Sequence, residues 1–158
     1  MSADNQAAKK EVVKSKTSSD GSVTVESARG TARLSHPAPG VLLYVCAGVF
    51  SGNFYAPMVA VAQREVELAG SLLMIVDGWE LRSIDTDFRE AWTEWFKLHR
   101  QHFRMRLLVR TKLLDMAASL ANLFTGMSVI KTYSDITAWE KACAADVPGF
   151  RRVVKASA

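Results

Sequence analysis

The chain has 158 residues, 49% of them hydrophobic, and a formal net charge of +4 at pH 7. These values suit one globular domain with tails and enough apolar material for one core. The longest clean apolar run, Val41 to Phe50, is about half of the roughly 20 residues that a membrane-spanning helix needs. No apolar segment of the secretory type follows the N-terminal lysines, so we expect a cytoplasmic protein without a transmembrane segment.

The cysteines and histidines give no sign of a metal site. Cys46 and Cys143 both lie in apolar patterns, which favours two buried free thiols over a disulfide because nothing marks the chain as secreted. His99 and His102 share a helix face, but no cysteine or carboxylate completes a set of ligands. We therefore expect neither a metal nor another cofactor.

The N-terminal third predicts a tail followed by strands. Residues 1–21 are rich in Lys, Ser, Ala and Asp and predict a disordered tail. Alternation over 23–26, a turn at 28–30 and a return over 31–34 predict an antiparallel hairpin. The apolar run 41–49 contains β-branched and aromatic residues and is typical of a central strand buried on both faces.

The rest of the chain alternates between helical and strand patterns. In chain order the pattern predicts a helix over 57–69, a strand over 71–76, a helix over 87–101, a strand over 105–109, a helix over 112–125, a strand over 128–133 and a last helix that Ser134 caps. Strands separated by helices predict parallel βα units with right-handed crossovers. The expected fold class is α/β: one domain over 22–146, with an N-terminal antiparallel hairpin, parallel βα units, about four helices and a mixed sheet. Residues 147–158 are expected to form a basic tail.

A basic interval lies between Glu94 and Asp115, where no acidic residue occurs. An anion, such as a nucleotide or a lipid headgroup, would be attracted by such a patch. The same residues also suit a solvated face whose long side chains cover apolar surface. Nucleic acid is not the expected partner because no aromatic stacking pattern or nucleic-acid motif accompanies the charge. Within the interval 97–112, the candidate anion-binding residues are Arg100, Arg104, Arg106, Arg110 and Lys112.

The segment 75–88 predicts a buried strand that ends at Asp77, a short loop, and a helix that starts at Thr86 or Asp87. A hydroxyl at a helix N-terminus lies near free N–H groups and a positive dipole end, where a phosphate is favourable. The simpler interpretation is that Asp85, Thr86 and Asp87 cap the helix, which stabilises it by about 1 kcal/mol.

Catalytic motifs are missing from the sequence. It contains no Gly-x-Gly-x-x-Gly fingerprint, no P-loop and no Gly-x-Ser-x-Gly elbow. No convergent set of acid, base and nucleophile can be assembled from the residues. We therefore expect a protein that is not an enzyme.

The order of the elements and the run Ile84-Asp85-Thr86-Asp87-Phe88 resemble the STAS superfamily, and especially the divergent bacterial branch of anti-sigma-factor-antagonist-like proteins. The resemblance covers about 22–145. Within this range, the segment 106–116 resembles a strand and the third helix of the family, and the segment 128–141 resembles the last strand and the closing helix. It implies that Thr86 falls on the phospho-acceptor serine of the family and Asp85 on the acid before it. The chain departs from the family motif at the next two positions, where Asp87 replaces a second serine and Phe88 replaces a glycine.

The leading hypothesis is a non-catalytic regulatory module that binds a partner protein. Thr86 is its candidate phospho-acceptor, and the candidate partner-binding residues of the switch loop are Trp79, Arg82, Ser83, Asp85 and Asp87. Two alternatives stay open. One is a structural subunit of a larger homo- or hetero-oligomeric assembly, and the other is anion binding through the basic interval.

Overall fold

The structure is a computed structural model, and it describes residues 11–110, 112–125 and 129–153. Seven strands form one sheet: β1 (Lys14–Thr17), β2 (Val23–Glu26), β3 (Gly30–Ala38), β4 (Val41–Phe50), β5 (Leu72–Ile84), β6 (Phe103–Val109) and β7 (Ile130–Tyr133). The helices of the described part are α1 (Tyr55–Ala69), α2 (Thr86–His99), α3 (Lys112–Thr125) and α4 (Ile136–Asp146), and a single 3₁₀ turn at Gly52–Phe54 precedes α1.

The strands lie in the sheet in the same order as in the chain. Neighbouring strands from β1 to β4 pair antiparallel, and those from β4 to β7 pair parallel. Right-handed crossovers that all step in one direction place their helices on one face of the sheet. Side chains of α1, α2 and α3 accordingly share one apolar cluster, while those of α4 belong to a second. The predicted α/β class, mixed sheet and set of helices are confirmed.

The face under α1, α2 and α3, called the three-helix face, is packed largely with aromatic side chains. Trp92 of α2 stacks on Phe96 with ring centroids 5.5 Å apart, and Phe96 stacks on Phe103 of β6 at 4.7 Å. A cavity of about 110 Å³ lies among apolar side chains of this face, including Met74 and Trp92.

The opposite face, called the α4 face, is covered by α4 and by the residues that follow it. Trp139 and Cys143 of α4 are completely buried, and the ring of Phe150 lies 5.5 Å from that of Trp139. Cys46 is buried on the three-helix face, so the sheet separates it from Cys143. Both thiols are free, as predicted, and burial raises the pKa of Cys143 to about 12.

The N-terminal tail differs from its prediction. Lys14–Thr17, which lie inside the expected disordered stretch 1–21, form the edge strand β1 and pair with β2. All four side chains are exposed. The strand is therefore held by backbone hydrogen bonds and leaves no apolar alternation in the sequence. Residues 1–10 lie outside the described residues.

The expected basic tail at 147–158 also differs where the structure describes it. Val147 and Phe150 are buried, and the Arg152 side chain packs against β5, where its Nε donates a hydrogen bond of 2.7 Å to Asp77 Oδ2. Apolar burial and a charge pair thus hold this segment on the sheet. Residues 154–158 lie outside the described residues.

Candidate functional site

Strand β5 carries the first part of the candidate site, and it does not end at Asp77 as predicted. It continues to Ile84, which pairs with Phe50 at the end of β4. The register against β4 shifts twice, because β5 contains one extra residue around Trp79 and another at Arg82. The predicted switch loop is therefore a strand with two β-bulges. Bulges interrupt the alternation of side chains and re-aim them, which is why the sequence resembles a loop here.

Trp79 is held in place from two sides at the first bulge. Its indole is half-buried against the apolar cluster of the α4 face, and its backbone N–H donates to Asp77 Oδ1 at 3.1 Å. The guanidinium carbon of Arg110, which follows β6, lies 5.5 Å from the ring centroid, within the range of a cation–π contact. Arg110 also lies 4.0 Å from a carboxylate oxygen of Glu80. The parallel pairing of Gly78 with Val109 thus brings Trp79 of β5 and Arg110, which directly follows β6, together.

Asp85 is the N-cap of α2 and fixes its first turn. Its Oδ1 accepts a hydrogen bond of 2.8 Å from Phe88 N, as expected for a cap, and its Oδ2 accepts one of 3.0 Å from Gly52 N. A Cβ at Gly52 would lie 2.8 Å from Asp87 Cβ, so only glycine permits this close approach. Because both carboxylate oxygens are bonded inside the chain, Asp85 positions the turn. Gly52 is a part of the site that sequence reasoning missed.

Thr86 and Asp87 are exposed in the first turn of α2, and Arg82 is exposed at the second bulge, while Ser83 is half-buried. A phosphate on Thr86 would lie near the free N–H groups of the helix start and next to Asp87. Arg89 follows at i+3, which is a neighbouring position on the helix surface and the nearest cationic one in the turn. The Thr86 residue itself is exposed.

The basic interval does not form one surface. Arg106 Nε and Nη2 each lie 2.6 Å from Asp146 Oδ2, and Nη1 donates to the Tyr133 hydroxyl at 2.8 Å. Burial alone would lower the pKa of Arg106, but the hydrogen bond and charge of Asp146 outweigh it and raise the pKa. These contacts remove Arg106 from the predicted anion-binding set, and Arg110 is engaged with Trp79. Lys112 is exposed at the start of α3.

The remaining two arginines of the predicted set lie at the other edge of the sheet. Arg100 and Arg104 line a groove of about 520 Å³ at the amino ends of β5 and β6, and His102 lies between them in sequence. Parallel strands have their amino and carboxyl ends at opposite edges, so this groove and the surface around Trp79 are separate.

Within the ranges 11–110, 112–125 and 129–153, no three His, Cys, Asp or Glu side chains lie together in a way that could hold a metal ion. Among the helices that the structure describes, none combines the length and apolar character needed to cross a membrane.

Comparison with known proteins gives a likeness of fold. No protein-family model matches the chain, and no curated protein matches it significantly. The structure is similar to that of an uncharacterized protein from the DUF3478 family, from Shewanella loihica PV-4, described as having a SpoIIAA-like fold. The TM-score is 0.48 and the identity 18%, over 86% of this chain and 91% of that chain.

Proposed function

We propose that this chain is a non-catalytic regulatory domain that binds a partner protein at the carboxyl end of β5. The docking surface consists of Trp79, Arg82, Thr86, Asp87 and Arg110. The observation that carries the proposal is the pair of bulges in β5. Bulges are common beside functional sites, where they re-aim side chains.

The chemistry of the docking surface supports the proposal. Tryptophan and arginine are enriched among the residues that dominate binding energy at protein interfaces. Trp79 is half-buried and held by Arg110, so little conformational entropy is lost when a partner covers it. The acidic and hydroxyl side chains at the start of α2, beyond the end of β5, would supply a polar rim to this anchor.

Phosphorylation of Thr86 is the proposed switch. A phosphate adds nearly two negative charges to an exposed turn that already contains Asp87. A partner that covers the turn would have to desolvate this charge, and an unpaired buried charge is costly. Phosphorylation, or the mimic Thr86→Glu, is therefore expected to weaken binding and to leave the fold unchanged.

The proposal is tested by capturing partners from the native host with wild-type protein and with three variants. Thr86→Glu and the double variant Trp79→Ala/Arg82→Ala are expected to lose the partner. Thr132→Glu, which adds the same charge at an exposed position of β7, is expected to retain it. A partner bound equally by wild type and Thr86→Glu would overturn the switch, and one retained by the double variant would overturn the docking surface. Light scattering of the pure protein separates this proposal from a structural subunit, since a homo-oligomer that Trp79→Ala dissociates would indicate self-assembly instead.

A further inference from the structure

Asp77 is a buried carboxylate that links two distant parts of the chain. Its side chain is 4% exposed, and the alternation of β5 places it on the α4 face, between the buried Ile75 and the half-buried Trp79. Each carboxylate oxygen has its own partner: Oδ2 accepts a hydrogen bond of 2.7 Å from Arg152 Nε, and Oδ1 accepts one of 3.1 Å from Trp79 N. One side chain thus joins the C-terminal segment to the first bulge of β5.

The C-terminal segment is anchored to α4 independently of this ion pair. Phe150 is buried, and its ring lies 5.5 Å from that of Trp139 between centroids. Arg152 N donates a hydrogen bond of 2.8 Å to Oε2 of Glu140, which also belongs to α4. Because both contacts are made to α4, the Arg152 guanidinium reaches Asp77 from a fixed backbone. The cation that neutralises β5 is therefore supplied by α4 and the residues after it.

Electrostatics make the position of Asp77 depend on Arg152. A carboxylate removed from water is costly unless a cation and hydrogen bonds compensate it. Among the described residues, the hydrogen bonds to this carboxylate come from Arg152 and from the backbone of Trp79. Without the guanidinium, the charge would keep only the neutral N–H as a donor, and we expect the carboxylate to turn towards water. Trp79 N would then lose its acceptor.

We infer that Arg152 is a positioning residue for Trp79 and, through Trp79, for the docking surface; the second part rests on the proposed function. The indole follows its backbone, and its cation–π contact with Arg110 requires both groups to be in place. A change that lifts the C-terminal segment from α4 would therefore weaken partner binding without altering any residue of the docking surface. The α4 face thereby provides a place where partner binding is regulated from a distance.

The test follows the backbone amide and indole N–H signals of Trp79 by NMR in the ¹⁵N-labelled full chain. In Arg152→Ala the amide proton is expected to move upfield, because it loses a carboxylate acceptor, and the indole signal is expected to move as well. The matched control Arg151→Ala removes the same charge from the preceding, exposed position and is expected to leave both signals in place. The double variant Asp77→Asn/Arg152→Ala removes the unpaired charge and keeps an oxygen acceptor, so the signals are expected to return most of the way to wild type.

The second measurement is the affinity for the partner that wild-type protein captures. Arg152→Ala is expected to bind at least about tenfold more weakly, because the tryptophan anchor is no longer held in its binding position. Arg151→Ala is expected to bind like wild type. The double variant Asp77→Asn/Arg152→Ala is expected to recover to within about threefold of wild type, which a general loss of packing would not allow.

Each part of the inference has its own contrary result. Unchanged Trp79 signals in Arg152→Ala, or equal changes in Arg151→Ala, would overturn the positioning of Trp79. Signals that stay displaced in the double variant would overturn the route through Asp77. Displaced signals with wild-type partner affinity would overturn the link to the docking surface.

A further variant covers the case in which Arg152→Ala does not fold. Arg152→Met keeps the apolar stem of the side chain and removes its charge, and the same displacement of the Trp79 signals is expected. Because these signals are measured without a partner, the positioning of Trp79 is tested even where the proposed function fails. The two failures are therefore distinguishable.

Discussion

The two faces of the sheet are stabilised in different ways. The three-helix face buries an aromatic chain that includes Trp92, Trp95 and Phe96 of α2. The α4 face has one helix, and charge pairs add to its packing: Arg106 with Asp146, and Arg152 with Asp77. The difference follows from topology, because crossovers of one hand and one direction deliver all three linking helices to the same side. The other side depends on the last helix and the segment after it.

The largest expected effect comes from the aromatic chain. Trp92→Ala leaves a large void between α2 and the sheet, and we expect it to lower the free energy of unfolding by about 3–5 kcal/mol. Trp79→Ala is the control on the α4 face, because its indole is only half-buried. Denaturant titration measures both variants. If the two variants lose similar amounts of unfolding free energy, the three-helix face does not dominate stability.

Breaking the buried ion pair between Arg152 and Asp77 is expected to have the next largest effect on the free energy of unfolding. Arg152→Ala leaves Asp77, whose side chain is 4% exposed, without its cationic partner, and we expect a loss of about 3 kcal/mol. The control Arg33→Ala breaks an ion pair with Asp20 whose side chains are 60% and 61% exposed, so a loss below about 1 kcal/mol is expected. If Arg152→Ala is as mild as this control, the C-terminal segment does not stabilise the α4 face.

The helix caps allow a smaller comparison between the faces. Asp85→Ala removes the cap of α2 together with the tie to Gly52, and we expect a loss of about 1–2 kcal/mol. Asp135→Ala removes the cap of α4, where the carboxylate accepts a bond of 3.0 Å from Ala138 N, and a loss of about 1 kcal/mol is expected. Thermal melting of both variants measures the difference, and the reverse order would contradict the added role of Asp85.

The smallest expected effect is a pH dependence of the free energy of unfolding that comes from His99 of α2. Burial beside Trp95, and then the nearby His102, lower the pKa of His99 below its ordinary value of 6.5. The unfolded chain therefore binds more protons at this position, and the free energy of unfolding falls as the pH drops through 6.5 towards the folded pKa. His99→Gln is expected to flatten this slope in denaturant titrations across that range. An unchanged slope would show that His99 titrates alike in the folded and unfolded chain.

Most of the fold was predictable because its elements bury regular patterns. The apolar run of β4, the periodicity of α2 and the cap at Asp85 all depend on near neighbours in sequence. Strand β1 was not predictable, because its exposed side chains carry no alternation. The sequence predicts the end of β5 too early, at Asp77, because Gly78 resembles a turn signal. Its role is a close approach to β6, since a Cβ there would lie 2.7 Å from Leu108 O.

The candidate sites depended more on long-range contacts. Sequence spacing indicated the exposed turn at Thr86 but could not show that Arg110 lies over Trp79. The basic interval looks like one charged surface in the sequence, because its basic residues follow one another without an acidic residue between them. In the structure Arg106 pairs with Asp146, 40 residues away, and Arg104 and Arg110 lie towards opposite ends of the same strand. No local pattern encodes such a division.

The agreement between strand order and chain order affects how the protein can be made. Each strand finds its pairing partner immediately before it in the chain, so no strand has to be inserted between two that are already joined. A polypeptide emerging from the ribosome can therefore extend its sheet one strand at a time, because each described strand pairs with the strand just before it in the chain. Synthesis and sheet growth then run in the same direction, from the first edge of the sheet to the last.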